Sequence, residues 1–177
     1  GGLSLSWAYL PVQDVQGGQV MVDVLPRSLG KVLAEGNSSY SERWLAIPFE
    51  PLQGKPVVVD DLESAILSLR DYPGLSPAAV LSPSATEIGG SDLTLRVVER
   101  PLEYGITGDN YGSITNGEYR ARAFTAWNNP LGHADRLYVD VLQAFDPTEN
   151  TYGAVSYWTG FPDAVMRAGI EYSVSAF

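Results

Sequence analysis

The sequence predicts a small α+β domain of strand, helix, helix, strand, strand order, followed by antiparallel strands with no helix among them. Three observations carry this. Helix-start signals stand at Ser39 and Asp60, between strand-like segments. Leu62, Ala65, Ile66 and Leu69 recur at helical spacing on one face. From Tyr104 onward the helical period gives way to alternation broken by Gly, Pro, Asn and Asp turn signals.

Taken in order, the opening Gly1-Gly2 enters directly into strand-like sequence and reads as a boundary and not a natural start. From Trp7 to Val32 the pattern is that of a hairpin around Gly17-Gly18, with Val20, Val22 and Val24 on one face of the returning strand. Lys31-Val32-Leu33 begins a short strand that ends at Glu35-Gly36-Asn37. Ser39, with Glu42 three residues later, has the form of a capping box for a short helix, which Pro48 and Pro51 end. The second helix is predicted to start at Asp60 as N-cap, with Glu63 three residues on, and to stop at Tyr72-Pro73-Gly74. Ala78 to Ser82 and Asp92 to Arg100 are predicted strands, the latter alternating Leu93, Leu95 and Val97 against Thr94, Arg96 and Val98. One helical layer of this size covers one face of a three-stranded sheet.

Beyond Tyr104, strands are predicted at Tyr119 to Trp127, Arg136 to Phe145, Tyr152 to Thr159 and Ala164 to Ala176. In the last, Ala164, Met166, Ala168, Ile170, Tyr172 and Val174 share one face, and Arg167, Gly169, Glu171 and Ser173 share the other. In water that pattern means a core face and a solvent face; in an outer membrane it means a lipid face and a lumen face. Periodicity alone does not choose between them.

Composition removes several classes of function. The 177 residues are 45% hydrophobic, enough for a folded core. Eleven Lys and Arg against 21 Asp and Glu give a net charge of −10, which disfavours nucleic acid and anionic headgroups as partners. With no cysteine there is no disulfide framework, thiolate metal site or thiol nucleophile. No apolar run reaches the roughly 20 residues of a membrane helix, so a bilayer-spanning role rests on strands. His133, the only histidine, lies in a turn string and reads as an exposed loop residue. Asp60-Asp61 is better explained by helix capping than by metal. Asp109-Asn110 and the run Asp146-Pro147-Thr148-Glu149-Asn150 lack the spacing of a calcium loop and read as turns. No nucleophile, base and orienter stand together, so neither an enzyme nor a cofactor is expected.

Local sequence then points to a family. Leu10-Pro11-Val12-Gln13 followed by Gly17-Gly18, the run Leu69-Arg70-Asp71-Tyr72-Pro73-Gly74-Leu75, and the strand Ser91 to Pro101 resemble, in order, the end of a first POTRA domain, the end of the second POTRA helix, and the closing strand of two-partner secretion transporters of the hemolysin-activator family. Asp109-Asn110-Tyr111-Gly112-Ser113 and Asn128-Asn129-Pro130-Leu131-Gly132 look like that family's first barrel strand and first hairpin turn. His133-Ala134-Asp135 departs from the Gly-Asp turn usual there.

The resemblance implies a fold and a division. Residues 1–30 would be the hairpin remnant of a first POTRA domain. Residues 31–103 would form a β-α-α-β-β POTRA domain, and residues 104–177 the first strands of an incomplete, 16-stranded-type transmembrane β-barrel. It implies the outer membrane of a Gram-negative bacterium, with the POTRA domain in the periplasm. It further implies recognition of an unfolded exoprotein, through its amino-terminal secretion domain, by strand addition to an exposed edge. Ala78, Ala79, Val80, Leu81 and Ser82 are the expected edge-strand site, with Pro77 and Pro83 flanking it. Replacing Val80 with proline is expected to remove one edge donor. Arg120, Arg122, Arg167 and Glu171 are the expected lumen-facing residues. The other expected partners are outer-membrane lipid and, through free strand edges, a second copy of the fragment. The competing reading is a soluble secreted β-rich binding module, carbohydrate-binding or adhesin-like, in which Trp127, Trp158 and Tyr157 line a sugar platform.

Overall fold

Strand β3 (Ser28–Glu35) opens a three-stranded sheet of order β3-β5-β4, completed by β4 (Leu75–Pro83) and β5 (Gly90–Glu99). In this computed structural model the described residues are 6–13, 17–87, 89–115, 117–145, 149–161 and 166–176. They fall into two units, 1–37 with 45–71 and 76–98, and 38–44 with 72–75 and 99–177.

In the first unit β3 pairs parallel with β5, so the chain between them must cross over, and it does so through helices. Helix α1 (Glu42–Ala46) runs into a 3₁₀ turn, Ile47–Leu52, and α2 (Val59–Arg70) packs on that turn. Alternation in β5 buries Leu93, Leu95 and Val97, while the α2 stripe buries Leu62, Ala65 and Leu69 and leaves Ile66 half-buried. Each of these leucines withdrawn from water contributes about 2 kcal/mol. Phe49 and Leu45, fully buried, complete the core.

Several details differ from expectation. Ser41, not Ser39, caps α1: its hydroxyl accepts the Trp44 N–H at 3.4 Å. The residue preceding α2 is Val58 and makes no side-chain cap, so Asp60 and Asp61 lie inside the first turn, where negative charge suits the helix dipole. α1 stops at Ala46, just ahead of Pro48, and Pro48 and Pro51 sit within the 3₁₀ turn that follows. β3 starts at Ser28, ahead of Lys31, and carries a bulge between Leu29 and Val32 into which Asp92 reaches, accepting the Lys31 N–H at 2.9 Å. The first hairpin is wider than its alternation implied. β1 (Ser6–Tyr9) pairs antiparallel with β2 (Asp23–Pro26), and Val20 and Val22 lie outside the strand, where the Gln13 side chain bonds the Met21 backbone in both directions at 2.7 Å.

The second unit is a five-stranded antiparallel meander of order β10-β9-β8-β7-β6. Its strands are β6 (Leu102–Asp109), β7 (Tyr119–Asn128), β8 (Arg136–Phe145), β9 (Asn150–Phe161) and β10 (Met166–Ala176). β6 was not among the four strands expected from alternation, since its Gly105 and Gly108 dilute the pattern. Ala164 lies outside the described residues, as do Gly1, Gly2 and Asp146 to Thr148.

Candidate functional site

Register decides what each face of the five-stranded sheet carries. Residues directly opposite in an antiparallel pair share a face, and the four pairings run without a shift from β6 to β10. Arg122 faces Thr107 and Leu142; Leu142 faces Tyr152; Tyr152 faces Ser175. Followed through every strand, this places all the charged strand residues on one face: Glu103, Asp109, Arg120, Arg122, Arg136, Asp140, Arg167 and Glu171. Arg120, Arg122, Arg167 and Glu171 are thus together. The opposite face carries none, and presents Tyr104, Ile106, Val141, Val155, Ile170, Tyr172 and Val174, each exposed.

The charged face is internally paired. Arg120 meets Asp109 at 2.7 Å, and Arg122 grips Asp140 with two nitrogens at 2.8 and 2.9 Å while touching the Tyr138 hydroxyl at 3.3 Å. Arg136 reaches from β8 across β7 to Glu103 on β6 at 3.3 Å, passing the strand that carries the small, fully buried Ala126. Aromatic rings on this face lie over the glycines opposite them. A Cβ on Gly105 would stand 2.5 Å from the Phe124 ring, and one on Gly169 would stand 2.3 Å from Trp158.

Between β7 and β8, residues 129–135 form a turn organised by Asp135, whose side chain is fully buried. Its carboxylate accepts the Leu131 N–H at 3.2 Å, the His133 N–H at 3.1 Å and the Tyr157 hydroxyl at 3.1 Å. Asn129 and Ala134 adopt positive φ, 56° and 51°, and the Asn129 side chain accepts the Ala134 N–H at 2.9 Å. His133 is exposed and rests beside the Trp44 ring, 6.1 Å between centroids. Trp44 continues to Tyr72 and Tyr72 to Tyr40 at 6.0 and 5.7 Å. Gly74, at φ 67°, has no room for a side chain: a Cβ would lie 2.4 Å from the Arg100 carbonyl.

Glu99 ties the same unit together. Its carboxylate accepts the successive N–H groups of Ser38, Ser39 and Tyr40, at 2.9, 2.8 and 3.2 Å, and both serine hydroxyls. Burial pushes this carboxyl up, but the Ser39 hydroxyl, the two serine N–H groups and the Ser38 hydroxyl outweigh it and hold it at about 2 against an ordinary 4.5. Burial, and then the charges of Glu99 and Asp135, push the Tyr40 hydroxyl up. A depressed folded pKa stabilises above the unfolded value and is lost as pH falls through the folded one. The Glu99 contribution is therefore expected whole above pH about 4.5 and gone near pH 2. Urea unfolding of wild type and Glu99→Gln should differ by about 2 kcal/mol at pH 7, and the gap should close on acidification; a gap independent of pH would refute the role.

In the three-stranded sheet, Ala78 to Ser82 lie in β4, which is an edge strand and includes both Pro77 and Pro83. The ladder to β5 is anchored at both ends by Ser84 N–H to Gly90 O at 3.0 Å and Arg100 N–H to Gly74 O at 2.8 Å. Both bonds give one register, so even-numbered β4 residues turn their N–H and C=O toward β5, and odd-numbered ones turn theirs to the free edge. This corrects the expectation for Val80. Its N–H serves the internal ladder, and a proline there would break the sheet and leave the edge donors intact.

Comparison with known proteins bears on both sheets. A family model described as "Haemolysin secretion/activation protein ShlB/FhaC/HecB" matches residues 89–175. The outer membrane transporter CdiB of Escherichia coli O6:K15:H31 (strain 536 / UPEC) is 30% identical over 139 residues, 78% of this chain and 23% of that protein. The heme/hemopexin transporter protein HuxB of Haemophilus influenzae (strain 86-028NP) is 27% identical over 141 residues, 77% of this chain and 25% of that one. The chain belongs to the haemolysin secretion/activation family of two-partner secretion outer-membrane transporters.

The chain spans about a quarter of the length of these curated relatives. Among solved structures, CdiB from Escherichia coli superposes with a TM-score of 0.63 at 24% identity, over 98% of this chain and 36% of that one. BamA from Haemophilus ducreyi lacking POTRA domains 1-3 gives 0.62 at 16% identity, over 97% and 33%. These likenesses show the fold: mostly antiparallel strands with few helices, as in CdiB and the BamA structure. Register also removes the sugar platform. Trp127 and Tyr157 share the uncharged face, whereas Trp158 lies on the charged one. Sequence reasoning overlooked Glu99, Asp135 and Asp140. Asp140 had a readable signal, a lone acid in an apolar strand; Asp135 and Glu99 act through backbone N–H groups that no side-chain pattern announces.

Proposed function

We propose that this chain is part of an outer-membrane translocator of unfolded exoproteins. Residues 31–103 serve as a periplasmic POTRA domain that captures the secreted polypeptide by strand addition at β4, and residues 104–177 are the opening strands of the barrel wall. The complete segregation of strand charge onto one face supports this reading: it is the partition demanded of a wall with hydrocarbon on one side and water on the other. The uncharged face has aromatics toward both ends, Tyr119 opposite Phe145 at one and Trp127, Tyr157 and Phe161 toward the other. Tyr119 and Trp127 are eight residues apart on β7, about 26 Å of strand, which when tilted covers most of an apolar band of about 25 Å. The uncharged face meets lipid, and Arg120, Arg122, Arg167 and Glu171 meet the lumen. The transported exoprotein touches the β4 edge first and the lumen second. In the parent protein further strands pair with β6 and β10, the two edges of the sheet.

Spin labels test the wall in the full-length transporter. Ala168 and Ser173 occupy opposite faces of β10, and Gly169 is avoided because Trp158 fills its side-chain space. Dissolved oxygen should relax the label at residue 168 more strongly, and a water-soluble nickel chelate the label at 173. Equal accessibility would reject the lipid-facing assignment and return the segment to a water-soluble β domain.

A further inference from the structure

β4 carries a proline toward each end, Pro77 two residues after its start and Pro83 at its finish, and the phase of those prolines is informative. Of its outward, odd-numbered residues, Pro77 and Pro83 have no N–H, and the Leu75 N–H is taken by the Tyr72 carbonyl at 3.2 Å. Two outward donors remain, Ala79 and Leu81, with outward carbonyls at Pro77, Ala79, Leu81 and Pro83. We propose that the Ala79 and Leu81 N–H groups are the docking donors of this edge, and that Pro77 and Pro83 are stops that confine a guest strand to one register. The inference rests on the reading of β4 as the capture edge and adds which backbone groups do the capturing.

The physical argument is one of unmet acceptors. A guest strand centred on residues 79–81 finds a donor for each carbonyl it turns inward. Slipped by two residues, it sets a carbonyl against a proline nitrogen and loses one bond, a factor of about five in affinity. Neither proline costs the domain itself anything, because an outward N–H has no partner within the sheet. The bulge, Gly30 and Asp92 disturb β3, and residues 53–57 cover part of it: Leu29 N–H bonds the Lys55 carbonyl at 2.9 Å and Gly54 N–H the Leu29 carbonyl at 2.8 Å. β4 is therefore the cleaner template.

Side chains define the guest. Ser76, Ala78, Val80 and Ser82 are exposed on one face of β4, and Ala79 and Leu81 are half-buried on the other. All are small or apolar and none is charged. The fitting occupant is an extended stretch of about five residues, alternating β-branched apolar and hydroxyl side chains without charge, in the secreted polypeptide.

The probe is a fluorescein-labelled ten-residue peptide of alternating threonine and valine with terminal lysines, added to the full-length transporter in detergent. Anisotropy should report binding, and amide exchange should slow at least ten-fold at Ala79 and Leu81 while Val80, already bonded within the sheet, stays unchanged. Ala79→Pro and Leu81→Pro should each weaken binding about five-fold or more, and Pro77→Ala with Pro83→Ala should tighten it. An α-hydroxy acid at 79 or 81 deletes the same donor without the proline ring, so a folding defect cannot imitate the result. Binding that survives these changes, with protection elsewhere, overturns the phase assignment and leaves edge capture standing. No binding to the wild type overturns both. Peptide displaced by a second copy of the transporter alone would make the edge a self-association site and likewise refute the guest proposed.

Discussion

Arginine in place of Val155 is expected to cost the intact transporter about 2–4 kcal/mol, while arginine at the preceding residue, Ala154, is expected to cost less than about 1 kcal/mol. The two differ by one position in β9 and by everything in environment. Val155 is directly opposite Val139 and Tyr172 on the uncharged face, in the middle of a twelve-residue strand, where on the barrel-wall reading proposed above a guanidinium would lie at the depth of the hydrocarbon. Ala154 is opposite Asp140 and Ser173, so an arginine there joins a face already built from ion pairs. Urea titration of the full-length protein folded into lipid vesicles measures both. Equal costs would mean that no lipid touches either face.

Loss of the Asp135 side chain is expected to be nearly as damaging. Asp135→Ala strands two backbone N–H groups and the Tyr157 hydroxyl around a fully buried site, and hydrogen bonds to a buried charge are worth about 1.5–3 kcal/mol apiece when one partner is removed. A total near 3 kcal/mol allows for water entering the space. Asp135→Asn keeps one acceptor oxygen and should recover about half. The loss should appear as a lowered unfolding midpoint together with faster proteolysis at residues 129–135; a midpoint unchanged in Asp135→Ala would show that the turn is held by its backbone alone.

What the sequence made legible followed from periodicity. The α2 stripe, the β5 alternation and the two faces of β10 each repeat a single rule often enough to be read without neighbours. What it hid depended on pairing. Whether Arg122 shares a face with Arg167 is a property of three registers, and no strand contains that information alone. Helix starts were misassigned for a related reason: Ser39 has the chemistry of a cap, but Glu99, 60 residues away in sequence, takes its hydroxyl, and Ser41 caps in its place. The outward phase of Pro77 and Pro83 was invisible until both ends of the β4 ladder were known, which is why Val80 looked like an edge donor.

The charged face has one more property. Its four acids and four arginines cancel, so the chain's net charge of −10 is carried wholly outside these strands. Six of these eight ions already pair with each other at short range, Arg120 with Asp109, Arg122 with Asp140 and Arg136 with Glu103, so opposite charges lie side by side on this face of the sheet. If this face lines the lumen as proposed, a passing polypeptide would meet little net pull from it, whatever its own mixture of lysines and glutamates. On the function proposed above, this stretch of the lining would be polar yet close to electrically silent, wetting the passage while favouring neither sign of cargo charge.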